Sequence, residues 1–240
     1  MKKVIVLLVL VSLSTFILGT ELVGAIGLAL PPYVLSETDS GIELDIVKNV
    51  LEMGGHTVKP DYVPFARVKH TLSSGKADFA LTLTEAAGIE NVYYSDSHVT
   101  YQNVVVTLKK NNLDISKIAD LSNVSISAFQ DATLYLGEEY KKTAKGNPEY
   151  SEIAKQDKQI ALLFGGRVQA LVVDINIFKF FRNKTDIVDT SSEVTIHKVF
   201  SPSNYKVAFT DKQIRDEFNK NLKKFVASGK KQEIIDQYTK

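Results

Sequence analysis

Glu21 to Leu28 (ELVGAIGL) is apolar with glycines and then meets Pro31, Pro32 and Tyr33, a pattern that predicts a first strand ending in a turn. From Gly41 to Met53 (GIELDIVKNVLEM) the apolar positions Leu44, Val47, Val50 and Leu51 fall on one helical face, and Gly54-Gly55 stops the helix. Thr57 to Val63 reads as a second strand, and Phe65 to Ser74 as a short helix with Gly75 as its C-terminal stop. Phe79, Leu81 and Leu83 then alternate with smaller residues as a third strand that opens into a polar loop near Thr84. Strand, helix, strand, helix, strand predicts a parallel α/β sheet, and such sheets bind ligands at the carboxyl ends of their strands. Tyr33 and the Thr84 loop lie at those ends.

After Asp96 the rhythm begins again. Asn103 to Leu108 (NVVVTL) and Val124 to Ala128 read as strands, Leu134 to Lys145 and Gln159 to Phe164 as helices, and Ala170 to Val173 as a buried strand followed by a helix around Phe178. This predicts a second lobe, with Asn103–Leu108 and Asn204–Phe209 crossing between the two. Near the end, Thr210 and Gln213 form the pattern of a capping box, and Ile214, Phe218, Leu222 and Phe225 follow at helical spacing up to Gly229. A last short helix carries Ile234, Ile235 and Tyr238. The expected organisation is a leader over 1–20, a first lobe over 21–102 plus 205–240, and a second lobe over 103–204.

Composition adds a compartment and removes several functions. With 240 residues, 44% hydrophobic and 24% charged, the chain has the balance of a globular protein. Lys2 and Lys3 precede an uncharged apolar run from Val4 to Leu18, the layout of a secretory signal peptide cut near Gly19 or Thr20; an uncleaved anchor is the alternative. No cysteine is present, so neither a disulfide nor a lipidated N-terminal Cys can form, and the mature chain is expected free in a bacterial periplasm. A net charge of +1 gives no footprint for nucleic acid. His56, His70, His98 and His197 share no ligand spacing, so no metal site is expected, and no cofactor or catalytic motif occurs. Asp45, Asp78 and Asp96 stand at helix starts or strand ends, where capping explains them.

The order PPY, GIELDIV, YVPFARVKHTLSSGKADFALTLTEA and YYSD resembles the first lobe of extracellular solute-binding proteins of the polar amino-acid type. AFQDATL, GGRVQALVVD and NYKVAFTDKQIRDEFNKNLKKFVASGKKQEIIDQY continue the resemblance through the second lobe and the closing segment. It implies the type II periplasmic-binding-protein fold: an α/β architecture of two lobes, each a mostly parallel sheet flanked by helices, joined by two hinge strands that close around a ligand. Carried over to this sequence, Tyr33 and Phe65 correspond to aromatics that sandwich the ligand, and Thr82 and Thr84 to a polar pair holding its charged end. Gln130 and Thr133 match a ligand-selecting loop, and Asp174 matches an aspartate that accepts from an α-amino group.

One departure bears on the ligand. Where family members that bind α-amino acids have an arginine that clamps the carboxylate, this chain has Ala87. Of the four arginines, Arg67 is placed to supply a relocated anion contact, two residues beyond Phe65. The resemblance implies a monomeric, non-enzymatic capture protein for an amine-bearing solute, passing it to an ABC permease or, alternatively, to a membrane sensor. A third reading is a dehydratase of prephenate-like compounds with Glu85 or Asp174 as general acid.

Overall fold

The computed structural model of the protein describes residues 19–28 and 30–240, so the apolar run from Val4 to Leu18 lies outside the described residues. The chain begins with β1 (Glu21–Gly27), α1 (Ile42–Glu52), β2 (Thr57–Val63), α2 (Phe65–Ser73), β3 (Phe79–Leu83), the short β4 (Tyr93–Tyr94), β5 (Val99–Tyr101) and β6 (Asn103–Leu108). It continues with β7 (Ile126–Phe129), α3 (Ala132–Tyr135), α4 (Glu138–Gly146), β8 (Tyr150–Ile153), α5 (Gln156–Phe164), β9 (Ala170–Asp174) and α6 (Ile175–Lys184). The last elements are β10 (Val194–His197), β11 (Ser203–Phe209), α7 (Lys212–Ala227) and α8 (Lys230–Thr239).

The strands form two sheets of the same plan. In the first, β2, β1 and β3 run parallel, and β11 pairs antiparallel with β3. In the second, β8, β7 and β9 run parallel, and β6 pairs antiparallel with β9. Helices flank both sheets, which makes the type II periplasmic-binding-protein fold, and the doubled plan is the source of the βα rhythm that the sequence shows twice. β6 lies wholly in the second sheet and β11 wholly in the first. The chain therefore passes between lobes at Gln102 and again over 198–202, and β5 and β11 pair beside the passage, Tyr101 opposite Ser203.

Burial explains which elements the sequence reveals. All five positions of β3 are buried. α1 packs against α7 and α8 as well as its own sheet, so its burial extends beyond the expected stripe to Ile42, Glu43 and Ile46. Each fully buried aliphatic side chain of this kind contributes about 1.5–3 kcal/mol. β8 and β10 are edge strands of half-buried residues, without the apolar run or clean alternation that would announce them.

Two local expectations change. The cap of α7 is Asp211, whose Oδ1 accepts from the amides of Gln213 and Ile214, while the Thr210 hydroxyl donates to the Asp78 carbonyl. An aspartate one residue later reaches the free amides of the first turn better placed than the threonine does. The helix expected over Leu134–Lys145 is divided into α3 and α4 by Gly137, which adopts φ 89°.

Gly41 sets the approach of the Pro31–Val34 loop to α1. It has φ 127°, and a Cβ there would lie 2.5 Å from the Tyr33 carbonyl oxygen. The close approach lets the amides of Ile42 and Glu43 donate to the carbonyls of Pro32 and Tyr33 at 2.8 and 3.0 Å. That contact fixes Tyr33 beneath the junction of the lobes.

Candidate functional site

Between the lobes lies a cleft of about 310 Å³. The first lobe contributes Gly27, Leu28, Leu30, Phe65 and Thr82, the passage strands Tyr101, Asn103 and Tyr205, and the second lobe Phe129, Tyr135, Asp174 and Ile177. Most of these surfaces are aliphatic or aromatic. Phe65, the first residue of α2, is 53% exposed, and a Cβ on Gly27 would come within 3.0 Å of its ring, so the glycine is what lets the ring lie over the end of β1. Across the cleft, Tyr135 on α3 is 71% exposed.

Asp174 ends β9 and caps α6, a strand-to-helix junction that aims its side chain at the floor of the cleft. It is only 3% exposed. Its Oδ1 accepts from the Tyr33 hydroxyl at 2.8 Å and from the amides of Asn176 and Ile177 at 2.9 and 3.1 Å, and its Oδ2 accepts from the Gln102 amide at 2.8 Å. Burial pushes its carboxyl up to about 6, although the bonds from Tyr33, Ile177, Gln102 and Asn176 pull the other way. Capping and the cleft wall are thus served by one side chain.

Tyr33 is placed differently from the expectation. Its ring is fully buried and stacks on Tyr101 at 3.7 Å between centroids, so it offers no face to the cleft and acts on the site through its hydroxyl. Burial, with Asp174 next to it, raises that hydroxyl's pKa well above the ordinary tyrosine value. At the cleft wall near it stands Leu30. The Pro-Pro-Tyr sequence marks the loop correctly, but the loop turns Leu30 outward and Tyr33 inward.

Thr82 reaches the cleft, and its polar atoms are already engaged. Its amide donates to Glu43 Oε1 at 2.9 Å and its hydroxyl to Glu43 Oε2 at 2.8 Å. Tyr101 donates its hydroxyl to Oε2 at 3.1 Å, and His98 Nε2 lies 2.9 Å from Oε1. These bonds hold Thr82 at φ 57°, a left-handed conformation costing a β-branched residue roughly 1–3 kcal/mol. The pairing of β11 with β3 is irregular beside it, between Lys206 and Ala208.

The remaining expected residues stand outside the cleft lining. Thr84 is half-buried one turn before Ala87, Gln130 is exposed, and Thr133 is half-buried with its amide on Glu152 Oε1 at 3.1 Å. Arg67 is exposed on α2 and is not part of the lining to which Phe65 contributes. Among the described residues no cluster of three or more His, Cys, Asp or Glu is arranged to hold a metal. Tyr101, Tyr205, Phe129 and Tyr135 line the cleft without having been singled out from the sequence. Tyr135, an apolar residue on a four-residue helix with no packing stripe, carried the clearest missed signal.

The profile of the bacterial extracellular solute-binding proteins, family 3, matches residues 22–240. The chain belongs to that family. No curated protein matches the sequence significantly. Among solved structures, an ancestral cationic amino acid solute-binding protein superposes with a TM-score of 0.71 at 16% identity, over 92% of this chain and 96% of that one. The substrate-binding protein of an amino acid ABC transporter gives 0.57 at 20% identity, over 91% and 98%. A histidine kinase sensor domain with similarity to periplasmic binding proteins gives 0.64 at 14% identity, over 90% and 95%. At these identities the likeness is one of fold.

Within this solute-binding protein, the cations nearest the first lobe's binding edge are occupied. Lys69 Nζ donates to the Ala87 carbonyl at 2.6 Å, and Lys206, next to Tyr205, is paired with Glu85. The Lys206 bond holds the Glu85 carboxyl below the usual range, the opposite of what a general acid needs. On the second lobe, Glu152 Oε2 accepts from the Asp131 amide at 2.7 Å, and its Oε1 accepts from the Tyr150 hydroxyl at 2.6 Å as well as from Thr133. Burial raises the Glu152 carboxyl, but these bonds outweigh it and leave the group below its ordinary value. Among the described residues no helix is long and apolar enough to cross a membrane.

Proposed function

We propose that this family member captures a small amine-bearing solute in the interlobe cleft, with Asp174 as the acceptor for the ammonium, and passes it to an ABC permease. The observation that carries the reading is Asp174 itself. It is a buried carboxyl at the cleft floor whose Oδ2 takes one bond, from the Gln102 amide, and so keeps an acceptor position open. An ammonium placed there makes a charge-assisted bond, worth about 1.5–3 kcal/mol.

Tyr33 from the first lobe and Gln102 on the passage both donate to the same carboxyl. A ligand on Asp174 therefore touches the junction about which the lobes, 21–102 with 205–240 and 103–204, would close. The exposed faces of Phe65 and Tyr135, one from each lobe, are the surfaces that closure would cover. The protein works as a secreted monomer, binding without turnover.

The test is isothermal titration of the mature chain with a panel of amines and amino acids, repeated on Asp174→Asn. Binding of at least one amine with a loss of about ten-fold or more in the variant supports the reading. Retention of full affinity by Asp174→Asn removes it. Incubation with prephenate and product detection checks the absence of turnover.

A further inference from the structure

Resting on that reading of Asp174, we infer that the cleft selects organic cations that have an apolar, ring-sized body and no carboxylate, because its lining holds a buried carboxyl and no cationic side chain, and the protein's own carboxyl groups take the amides of Thr82, Asp131 and Thr133. Three places around the cleft carry this. At the first lobe's edge, Thr82 lines the cleft, and its amide and hydroxyl are both bonded to Glu43. The Tyr101 hydroxyl, in the wall beside them, is bonded to the same carboxyl group.

At the second lobe's edge, the backbone between Phe129 and Tyr135 turns into α3, and both of those residues line the cleft. The amides there that point toward an acceptor, Asp131 and Thr133, are taken by Glu152. At each edge a carboxyl group of the protein thus takes backbone amides next to the cleft.

The third place is the lining itself. It contains no Lys, Arg or His, and its single ionisable carboxyl is Asp174. Lys69 and Lys206, the cations that reach the neighbouring loop and strand, are held by the Ala87 carbonyl and by Glu85. A carboxylate entering this cleft would lose its water, meet no cationic side chain in the lining and face Asp174, a burial without a charge partner that is costly. A cation meets the reverse conditions. It gains Asp174, and the aromatic rings of Phe65, Tyr205 and Tyr135 offer flat faces to its body and charge. Arylalkylamines are the class that fits: one ammonium, one ring and no anion.

Matched pairs test this on the mature chain. Tyramine is titrated against tyrosine and phenethylamine against phenylalanine, each pair differing only by the carboxylate. The amine of each pair is expected to bind at least about ten-fold more tightly than its amino acid. Equal or tighter binding of the amino acids, lost in Asp174→Asn, would overturn the inference while leaving the amine site standing. If no amine binds and the amino acids bind unchanged to Asp174→Asn, both fall. Glu152→Ala gives a second readout at a partly exposed position: with the Asp131 and Thr133 amides released, the preference for tyramine over tyrosine should shrink by about ten-fold. A preference that stays unchanged, with the far-ultraviolet spectrum of the wild type, would overturn the role given to that carboxyl.

Discussion

Glu43 and Asp174 are both buried carboxyl groups at the start of a helix, one in each lobe, and they have opposite relations to the cleft. Glu43 is fully enclosed, and Thr82, Tyr101 and His98 surround both of its oxygens. Asp174 is bonded by backbone amides and by Tyr33, but it forms part of the cleft wall. The difference teaches that burial alone does not mark a binding residue in this fold. A carboxyl sealed away from the cleft with two donors on each oxygen holds the architecture, and one that lines the cleft with a single donor on one oxygen can hold a ligand. The two are joined through the stack of Tyr33 on Tyr101, since Tyr33 bonds Asp174 and Tyr101 bonds Glu43.

The largest effect that can break this contrast comes from the enclosed member. Glu43→Ala leaves the Thr82 amide, the Tyr101 hydroxyl and His98 without their acceptor in a sealed site. Leaving buried donors unsatisfied costs about 1–3 kcal/mol each, so a loss of about 3 kcal/mol or more is expected. Thermal unfolding should fall by roughly 6–12 °C for a chain of this size. A variant with wild-type melting but altered ligand affinity would reverse the roles assigned to the two groups.

Acidity sharpens the contrast next, because Asp174 is the member with a raised pKa. Its folded value near 6 exceeds the ordinary aspartate value, so protonation favours the folded state. The stability it contributes is fully present below about pH 4 and is lost as pH rises through 6, on the order of 2–3 kcal/mol across that window in the ligand-free chain. An ammonium on the ionised carboxyl offsets that cost, so amine affinity moves the other way. Titration should find it about ten-fold weaker at pH 5 than at pH 7. A flat profile over this range would mean that the ammonium is held elsewhere.

A smaller change probes the link between the two groups. Tyr33→Phe keeps the stack on Tyr101 and removes the hydroxyl that donates to Asp174 Oδ1. That bond lowers the Asp174 pKa, so its loss should move the midpoint of the affinity profile to higher pH while costing about 1 kcal/mol of stability. An unmoved midpoint would show that the Tyr33 hydroxyl does not act on Asp174.

These outcomes bear on how far the sequence could be read. The first parallel triple and the β7–β9 pair of the second were legible because β1, β3, β7 and β9 are apolar enough to show as runs, and α7 because its stripe is long; β8 was not. The place of Asp174 at the cleft was legible from the aspartate that ends Ala170–Asp174 within a resemblance of spacing. Glu43 was not, since a glutamate one residue into an amphipathic helix looks solvated until α7, α8 and the Thr82 strand are packed around it. Tyr33 and Leu30 show the finer limit. A turn containing Pro31 and Pro32 is evident from composition, but which of the flanking side chains faces the cleft depends on the carbonyl contacts that the loop makes with the start of α1.

Arg67 is where the smallest effect is expected, and it tests the contrast from outside. The sequence offered it as an anion contact because it follows Phe65 by two positions, but on a helix two positions place side chains on different faces. Phe65 accordingly lines the cleft and Arg67 stands exposed beside it. Arg67→Ala should change the free energy of amine binding by no more than about 0.5 kcal/mol, and melting by a similarly small amount, as for an exposed position without buried partners. Titration of tyramine and tyrosine into this variant measures both. A loss confined to tyrosine would restore an anion contact to the first lobe's rim, and the cleft would then be read as an amino acid site with its clamp moved onto α2.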